Sequence, residues 1–456
     1  MRRILTTCCV LALLVGFTAL PARGATNEAI NTAIHSGLAY IASQQLTNGA
    51  FGSQYPLAST AGAVQTFAEA GHFPDAGNTY SAAVEDGLDY IFTLARTTAI
   101  SVQQFGDPDT NGNGQGVYFQ QQSSPMYETG MVLQAIVASN TPSRVVTTGP
   151  CAGRTYYDVI TDVVDYLAWS QCSITSYYRG GWSYVPNQNR SDNDISRWAT
   201  QALIAAERWG ISAPAFVKTE LNYWVTFIQV ASGGYAGGSG YSNPGSIINM
   251  VKTGSLLAEF YYLGETAETA RAQNALGFIN NWWSRPPSSH YGNKGHYYAM
   301  YSIFKGLRLL GVETIPSALA SPDTPAGDWW GDYCEYLLPR QLGNGSWSPY
   351  MWGSVPLNTA WVVSILLDGE APEGIIIGAE TPVDSFEVEG EPVEVIESEI
   401  TVTEGGTPVE GAQVYIDVDV DNQSIADTSW TYRGKHKLVS PPAGPDGKTK
   451  LRFFKD

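Results

Sequence analysis

The chain has 456 residues, 44% of them hydrophobic and 12% aromatic, which is enough apolar material for a large buried core. Its formal charge of −18 excludes nucleic acid and anionic membrane surfaces as partners, because both select clustered Lys and Arg.

Residues 1–24 are expected to be a signal peptide. Arg2 and Arg3 precede an apolar run from Ile4 to Leu20, and Ala22-Arg23-Gly24 places small residues before Ala25. No later stretch supplies the roughly 18 apolar residues needed to cross a bilayer, so the mature chain is expected to have no membrane span and to be secreted or otherwise extracytoplasmic, in a periplasm or at a cell surface.

From about residue 30 a phrase recurs: an aromatic-rich amphipathic segment, a glycine turn closed by an aromatic residue, then a second apolar helix. The clearest turns are Gln45 to Phe51, Gln229 to Tyr235 and Gln341 to Trp347, each reading Gln, three residues, Gly, one residue, aromatic, with a looser copy from Gln171 to Trp182. With Phe51, Tyr118, Trp182, Tyr235, Tyr291 and Trp347 as markers, the period is about 53–67 residues, room for two helices and two loops. First helices are expected around Tyr40, Tyr90, Tyr166, Trp224, Phe278 and Tyr336. Second helices are expected over Thr60–Ala70, Glu128–Val137, Ser196–Ala206, Asn249–Phe260, Tyr297–Leu309 and Asn358–Leu367. The glutamine can bond helix-end carbonyls, the glycine permits a left-handed turn, and the aromatic folds back on the helix pair.

The motif and its period resemble the prenyltransferase and squalene-oxidase repeat of terpenoid-cyclase-like proteins, over about residues 30–368. That resemblance implies a mainly α fold, an α/α toroid of six helix pairs in inner and outer rings over residues 25–368, with a central cavity. It does not select an activity, because toroids include terpene cyclases, prenyltransferase subunits, thioester domains, polysaccharide lyases and cobalamin carriers. A ligand-binding module, a class II cyclase-like enzyme and a lyase therefore all stand, and the partner is expected to be a glycan or a hydrophobic or planar small molecule.

In chain order, the first chemical candidate is Asp107, Asp109 and Asn111, followed by Gly112. Oxygen-bearing residues at positions 1, 3 and 5 with Gly at 6 match the front of a calcium loop, although Tyr118 replaces the closing Glu and the same letters are ordinary turn composition. Cys151 and Cys172 are a candidate disulfide for an exported chain; three buried thiols, including Cys334, are the alternative.

Asp192-Asn193-Asp194-Ile195-Ser196 opens a second helix. By resemblance to class II cyclases, Asp192 and Asp194 match the first and middle acids of a proton-donating motif, Ser196 matches its Thr, and Ile195 replaces its last Asp. The other reading is a helix cap, with Asp194 or Ser196 bonding free amides at the helix start. Further cavity candidates, near the starts of second helices, are Tyr127, Glu128, Trp198, Asn249, Lys252, His296, Tyr297 and Asn358, with Glu128 and Lys252 a possible acid–base pair. Zinc is not expected, since Asp332 and Cys334 lie in a first helix and no His follows them in the repeats.

From Gly369 to Ile400 there are ten acidic and no basic residues, with Pro372, Pro382 and Pro392 spacing them, so 369–398 reads as an extended acidic linker. Beyond it the pattern alternates, as in Glu399–Thr403 and Gly447–Phe454. Residues 399–456 are expected to form a small all-β sandwich whose Thr407–Val414 run resembles bacterial immunoglobulin-like modules, serving a cell-surface partner.

Overall fold

The computed structural model describes residues 25–367, except 75, 287–291 and 319–325, together with the backbone of strands between residues 375 and 455. The markers at residues 1–24 and Tyr291 lie outside the described residues.

Residues 25–367 are mainly helical. Two sets of helices alternate along the chain. The odd set is α1 (Asn27–Ser43), α3 (Ser81–Thr93), α5 (Tyr156–Ser170), α7 (Ala215–Ile228), α9 (Ala270–Trp282) and α11 (Trp329–Leu337). The even set is α2 (Pro56–Glu69), α4 (Pro125–Ala138), α6 (Asn193–Glu207), α8 (Met250–Tyr262), α10 (Tyr297–Leu309) and α12 (Val355–Leu366). Every first and second helix expected from the sequence overlaps one of these. Their starts follow ordinary capping chemistry: Thr26, Thr155, Asp192, Asn249, Asp328 and Ser354 each accept an amide of the first turn, and Pro56, Pro125 and Pro356 sit where a missing N–H costs nothing.

Burial separates the two sets. Helices α4 and α12 are covered on almost every side, whereas α7 and α9 bury one stripe. The even helices touch in succession, α2 to α4, α6, α8, α10 and α12, and α12 packs back on α2. Close approach is possible because small residues face the joins: a Cβ on Gly130 would lie 2.7 Å from the Trp198 carbonyl oxygen. Their N-termini share one end. There Ser59 meets Ser354 at 2.7 Å, Leu57 N–H donates to Gln121, Met126 N–H to Tyr184, and Asn193 N–H to Tyr241.

The repeated turn has a definite job. Gln45 donates its side-chain amide to Gly49 and Ala83, Gln171 to Gly180 and Val217, Gln229 to Gly237 and Arg271, and Gln341 to Gly345 and Ala33. Each glutamine thus ties its own turn to the next odd helix. The four glycines have φ between 84° and 89°, and each presses on that helix's backbone. The residue two places on from each glycine donates its N–H to a hydroxyl of the following even helix, Phe51 to Thr60, Trp182 to Ser196, Ser239 to Thr253 and Trp347 to Thr359, and Phe119 donates likewise to Thr129 without such a glycine before it.

This corrects the spacing in two copies. Tyr235 is 44% exposed and Gly233 is in open space, because the fourth turn is longer and uses Gly237-Gly238-Ser239. In the second copy the buried marker is Phe119, one residue past Tyr118. It ends β2 (Gln115–Phe119), which pairs antiparallel with β1 (Ala95–Ala99) in a hairpin that the sequence reading did not separate from loop.

Beyond the helices, β3 (Ile375–Glu380), β4 (Val383–Val388) and β9 (Lys448–Lys455) pair antiparallel with β5 (Glu391–Glu404). Residues 369–398, expected as a linker, therefore hold β3, β4 and the start of β5. Short strands β6 (Thr407–Pro408), β7 (Tyr415–Val418) and β8 (His436–Val439) complete the assignment, β6 pairing with β5 and β7 with β8.

Candidate functional site

At the N-terminal end of α6 the chain buries acids. Asp192, fully buried, is the helix cap: its Oδ1 accepts the Asp194 N–H at 2.8 Å, and its carbonyl accepts both the amide and the hydroxyl of Ser196. The capping role expected of Asp194 or Ser196 belongs to Asp192, because the helix begins two residues earlier than a cap at Asp194 would place it. Asp194 is left to pair with Lys252 on α8, Oδ2 to Nζ at 3.1 Å, with both side chains largely buried. Asp192 Oδ2 and Asp194 Oδ1 have no hydrogen-bond partner among the described residues. Burial first, and then the charge of Asp194, pushes the Asp192 carboxyl up to about 7.

Two tyrosines stand over this pair. The hydroxyls of Tyr184 and Tyr241 are 2.5 Å apart, the Lys252 ammonium lies 5.3 Å from the Tyr241 ring centroid, and burial first, then the charge of Asp192, raises the Tyr241 phenol. Asn193 secures the base of the site, its amide donating to Ser239 and to the Lys252 carbonyl while its oxygen accepts the Trp224 indole N–H at 2.7 Å.

Aromatic side chains of four even helices meet beside the acids. Trp198 stacks on Tyr298 with centroids 6.2 Å apart and donates its indole N–H to the Tyr298 hydroxyl at 3.0 Å; Tyr127 OH lies 3.3 Å from the same oxygen. Trp361 packs on both Tyr298 and Tyr301, at 5.1 and 5.8 Å. The aromatics expected as cavity walls are thus in contact with one another, and Trp198 and Trp361 are buried.

The other candidates have defined places. Lys252 pairs with Asp194, not with Glu128. The Glu128 carboxylate accepts the backbone amides of Gln121 and Gln122, and burial raises its titration despite them. Asn249 caps α8 and His296 caps α10, where its ring also meets Tyr298 and Tyr350. Asn358 donates to the Trp352 and Ser354 carbonyls. Tyr297 is buried, which pushes its phenol up to about 12.

Asp107, Asp109 and Asn111 lie in a tightly hydrogen-bonded turn. Asp109 accepts the amides of Gly112, Asn113 and Gly114, Asp107 accepts the Asp109 amide, and Asn111 donates to Asp162. Among the described residues no group of three His, Cys, Asp or Glu is placed to hold a metal. The Cys151–Cys172 disulfide is corrected, since Cys151, Cys172 and Cys334 are free and buried. Cys151 precedes α5 and Cys172 follows it, and burial raises both thiols.

Sequence reasoning missed Tyr184, Tyr241, Arg197 and Glu259. A signal existed for the last: Glu259 interrupts the apolar run Leu256-Leu257-Ala258-Glu259-Phe260.

No protein-family model and no curated protein matches this sequence. Among solved structures, the chain is similar to Salmonella alpha-2-macroglobulin reacted with methylamine, at 9% identity and a TM-score of 0.36, over 95% of this chain. It spans 29% of the macroglobulin chain's length, a likeness too distant to carry an argument about this one.

Proposed function

We propose that this chain is an exported α/α-toroid protein that binds a hydroxyl-rich ligand, a glycan by class, at the end of the ring where the even helices begin. The observation that carries the reading is the Asp194–Lys252 pair beneath the Tyr184–Tyr241 hydroxyls. Asp194 Oδ1 is an acceptor without a partner, the phenols are donors, and the tyrosine faces suit the C–H surface of a sugar ring. Loops at this end also carry Tyr55 and Ile247, both exposed and both in the left-handed region at φ 50° and 47°, where a β-branched residue is strained. Exposed Tyr350 and Trp352 precede α12 at the same end. The signal-like start supports export, and the strands after residue 375 are proposed to form the immunoglobulin-like module that meets a surface partner.

Titrating neutral oligosaccharides while following tryptophan fluorescence tests the reading. Saturable binding that Asp194→Asn and Tyr241→Phe weaken is expected; indifference of the folded protein to the whole panel would refute it.

A second reading rests on Asp192. A carboxyl that is still protonated near neutral pH beside buried aromatics suits a general acid, and a class II cyclase-like reaction would use it to protonate an alkene. Turnover of an isoprenoid substrate, lost in Asp192→Asn, would favour that reading over the glycan.

A further inference from the structure

We propose that Arg197 is the seat of a carboxylate-bearing ligand inside the helix ring, a site separate from the Asp194–Lys252 pair. Arg197 lies on α6, three residues and so about 4.5 Å further along the axis than Asp194. It is fully buried, and its guanidinium carbon lies 4.2 Å from the Trp198 ring centroid, 5.0 Å from that of Tyr298 and 5.5 Å from that of Tyr301.

Its hydrogen bonding is half complete. Nε donates to Gln201 Oε1 at 3.2 Å, while Nη1 and Nη2 have no partner among the described residues. Gln201 Nε2 has none either. A buried cation with two open donors is strongly disfavoured unless an anion meets it, and three aromatic faces supply only part of what water would give.

Glu259, across on α8, is the nearby acid. It does not fill the role. It forms no ion pair with Arg197, and neither of its oxygens has a partner, the Asn193 amide being directed to Ser239 and the Lys252 carbonyl. Burial also drives its carboxyl well above the usual range against the pull of Arg197, which disfavours the charged form that a counter-ion needs.

The donor geometry selects the ligand class. With Nε occupied, the open edge of the guanidinium presents two parallel N–H groups, the spacing that two carboxylate oxygens match, and Gln201 Nε2 adds a donor beside them. The flat rings of Trp198, Tyr298 and Tyr301 favour a planar group over a tetrahedral one. This site does not depend on the glycan reading: a failed oligosaccharide titration leaves it standing, and a failed carboxylate titration leaves that reading standing.

The test is calorimetric titration of the whole chain with acetate, at fixed pH and ionic strength with chloride as the replaced ion. Saturable acetate binding is expected, abolished by Arg197→Gln and weakened about tenfold or more by Gln201→Leu, with exposed Lys218→Gln unchanged. If Arg197→Gln does not fold, Gln201→Leu carries the comparison. No saturable acetate binding by the native chain, or the same affinity in Gln201→Leu, would overturn the proposal.

Discussion

The side-chain amide of Gln341 donates to the carbonyl of Ala33 at 2.8 Å, joining the last repeated turn to the first helix across 308 residues of sequence. The same bond type runs from Gln45 to α3, Gln171 to α7 and Gln229 to α9, so the last copy repeats locally what its equivalents do between neighbours. Gln341→Ala removes two hydrogen bonds and should cost about 1–3 kcal/mol in a denaturant melt. Gly345→Ala should cost more than about 1 kcal/mol, because its φ is 89° and an added Cβ would sit 2.2 Å from the Ser36 carbonyl oxygen. Equal stability of both variants and the native chain would mean that this junction contributes nothing.

Trp347 and Tyr235 provide a second comparison. Trp347 is fully buried, donates its indole N–H to Leu337 and should cost about 3–5 kcal/mol as Ala. Tyr235 only stacks on Trp282 at the surface, so its truncation should cost less than about 1 kcal/mol. Comparable losses in urea melts would restore Tyr235 to the core position that its spacing suggested.

The helices were legible because each repeat writes its pattern twice, an apolar stripe and a glycine turn, and both are local. What was not legible was the length of the turn: Gln229 to Tyr235 satisfies the motif letter by letter, yet Gly237 is the glycine that meets Asn274 of α9. The acid site shows the same limit. A cap at the start of α6 could be read from Asp-Asn-Asp, but which acid caps depends on two residues of helix boundary, and the partner of the other, Lys252, comes from a different repeat. Tyr184 and Tyr241 lie in loops with no periodicity, so nothing local marked them.

Cysteine chemistry gives a direct check. Residues 25–456 contain three cysteines, and all should react as thiols after unfolding without reductant, with no change in electrophoretic mobility on reduction. In the native state burial raises the Cys151, Cys172 and Cys334 thiols, so labelling should be slow. A count of one thiol after unfolding would reinstate a disulfide.

The buried acids also set how stability depends on pH. Asp192 rises from 3.8 to about 7 and Asp165 from 3.8 to about 6, in both cases chiefly through burial; Glu259 and Glu128 are raised for the same reason. Between the unfolded and folded values the native state holds more protons than the unfolded chain, so stability falls as pH rises. The contribution of these groups is intact below about pH 4 and is lost through about pH 6 for Asp165 and about pH 7 for Asp192. Glu69 opposes this trend: burial alone would raise it, but Lys305 and Ser364 bring it below 4.5, so its effect is confined to more acidic solution. The melting temperature should therefore be higher at pH 5 than at pH 8, by a free-energy difference on the order of a few kcal/mol. Asp192→Asn keeps an N-cap and removes the ionisation, so it should flatten the upper part of this slope while leaving stability at pH 5 nearly unchanged. A slope from pH 5 to pH 8 that is the same in native and Asp192→Asn protein would show that Asp192 does not titrate in this window.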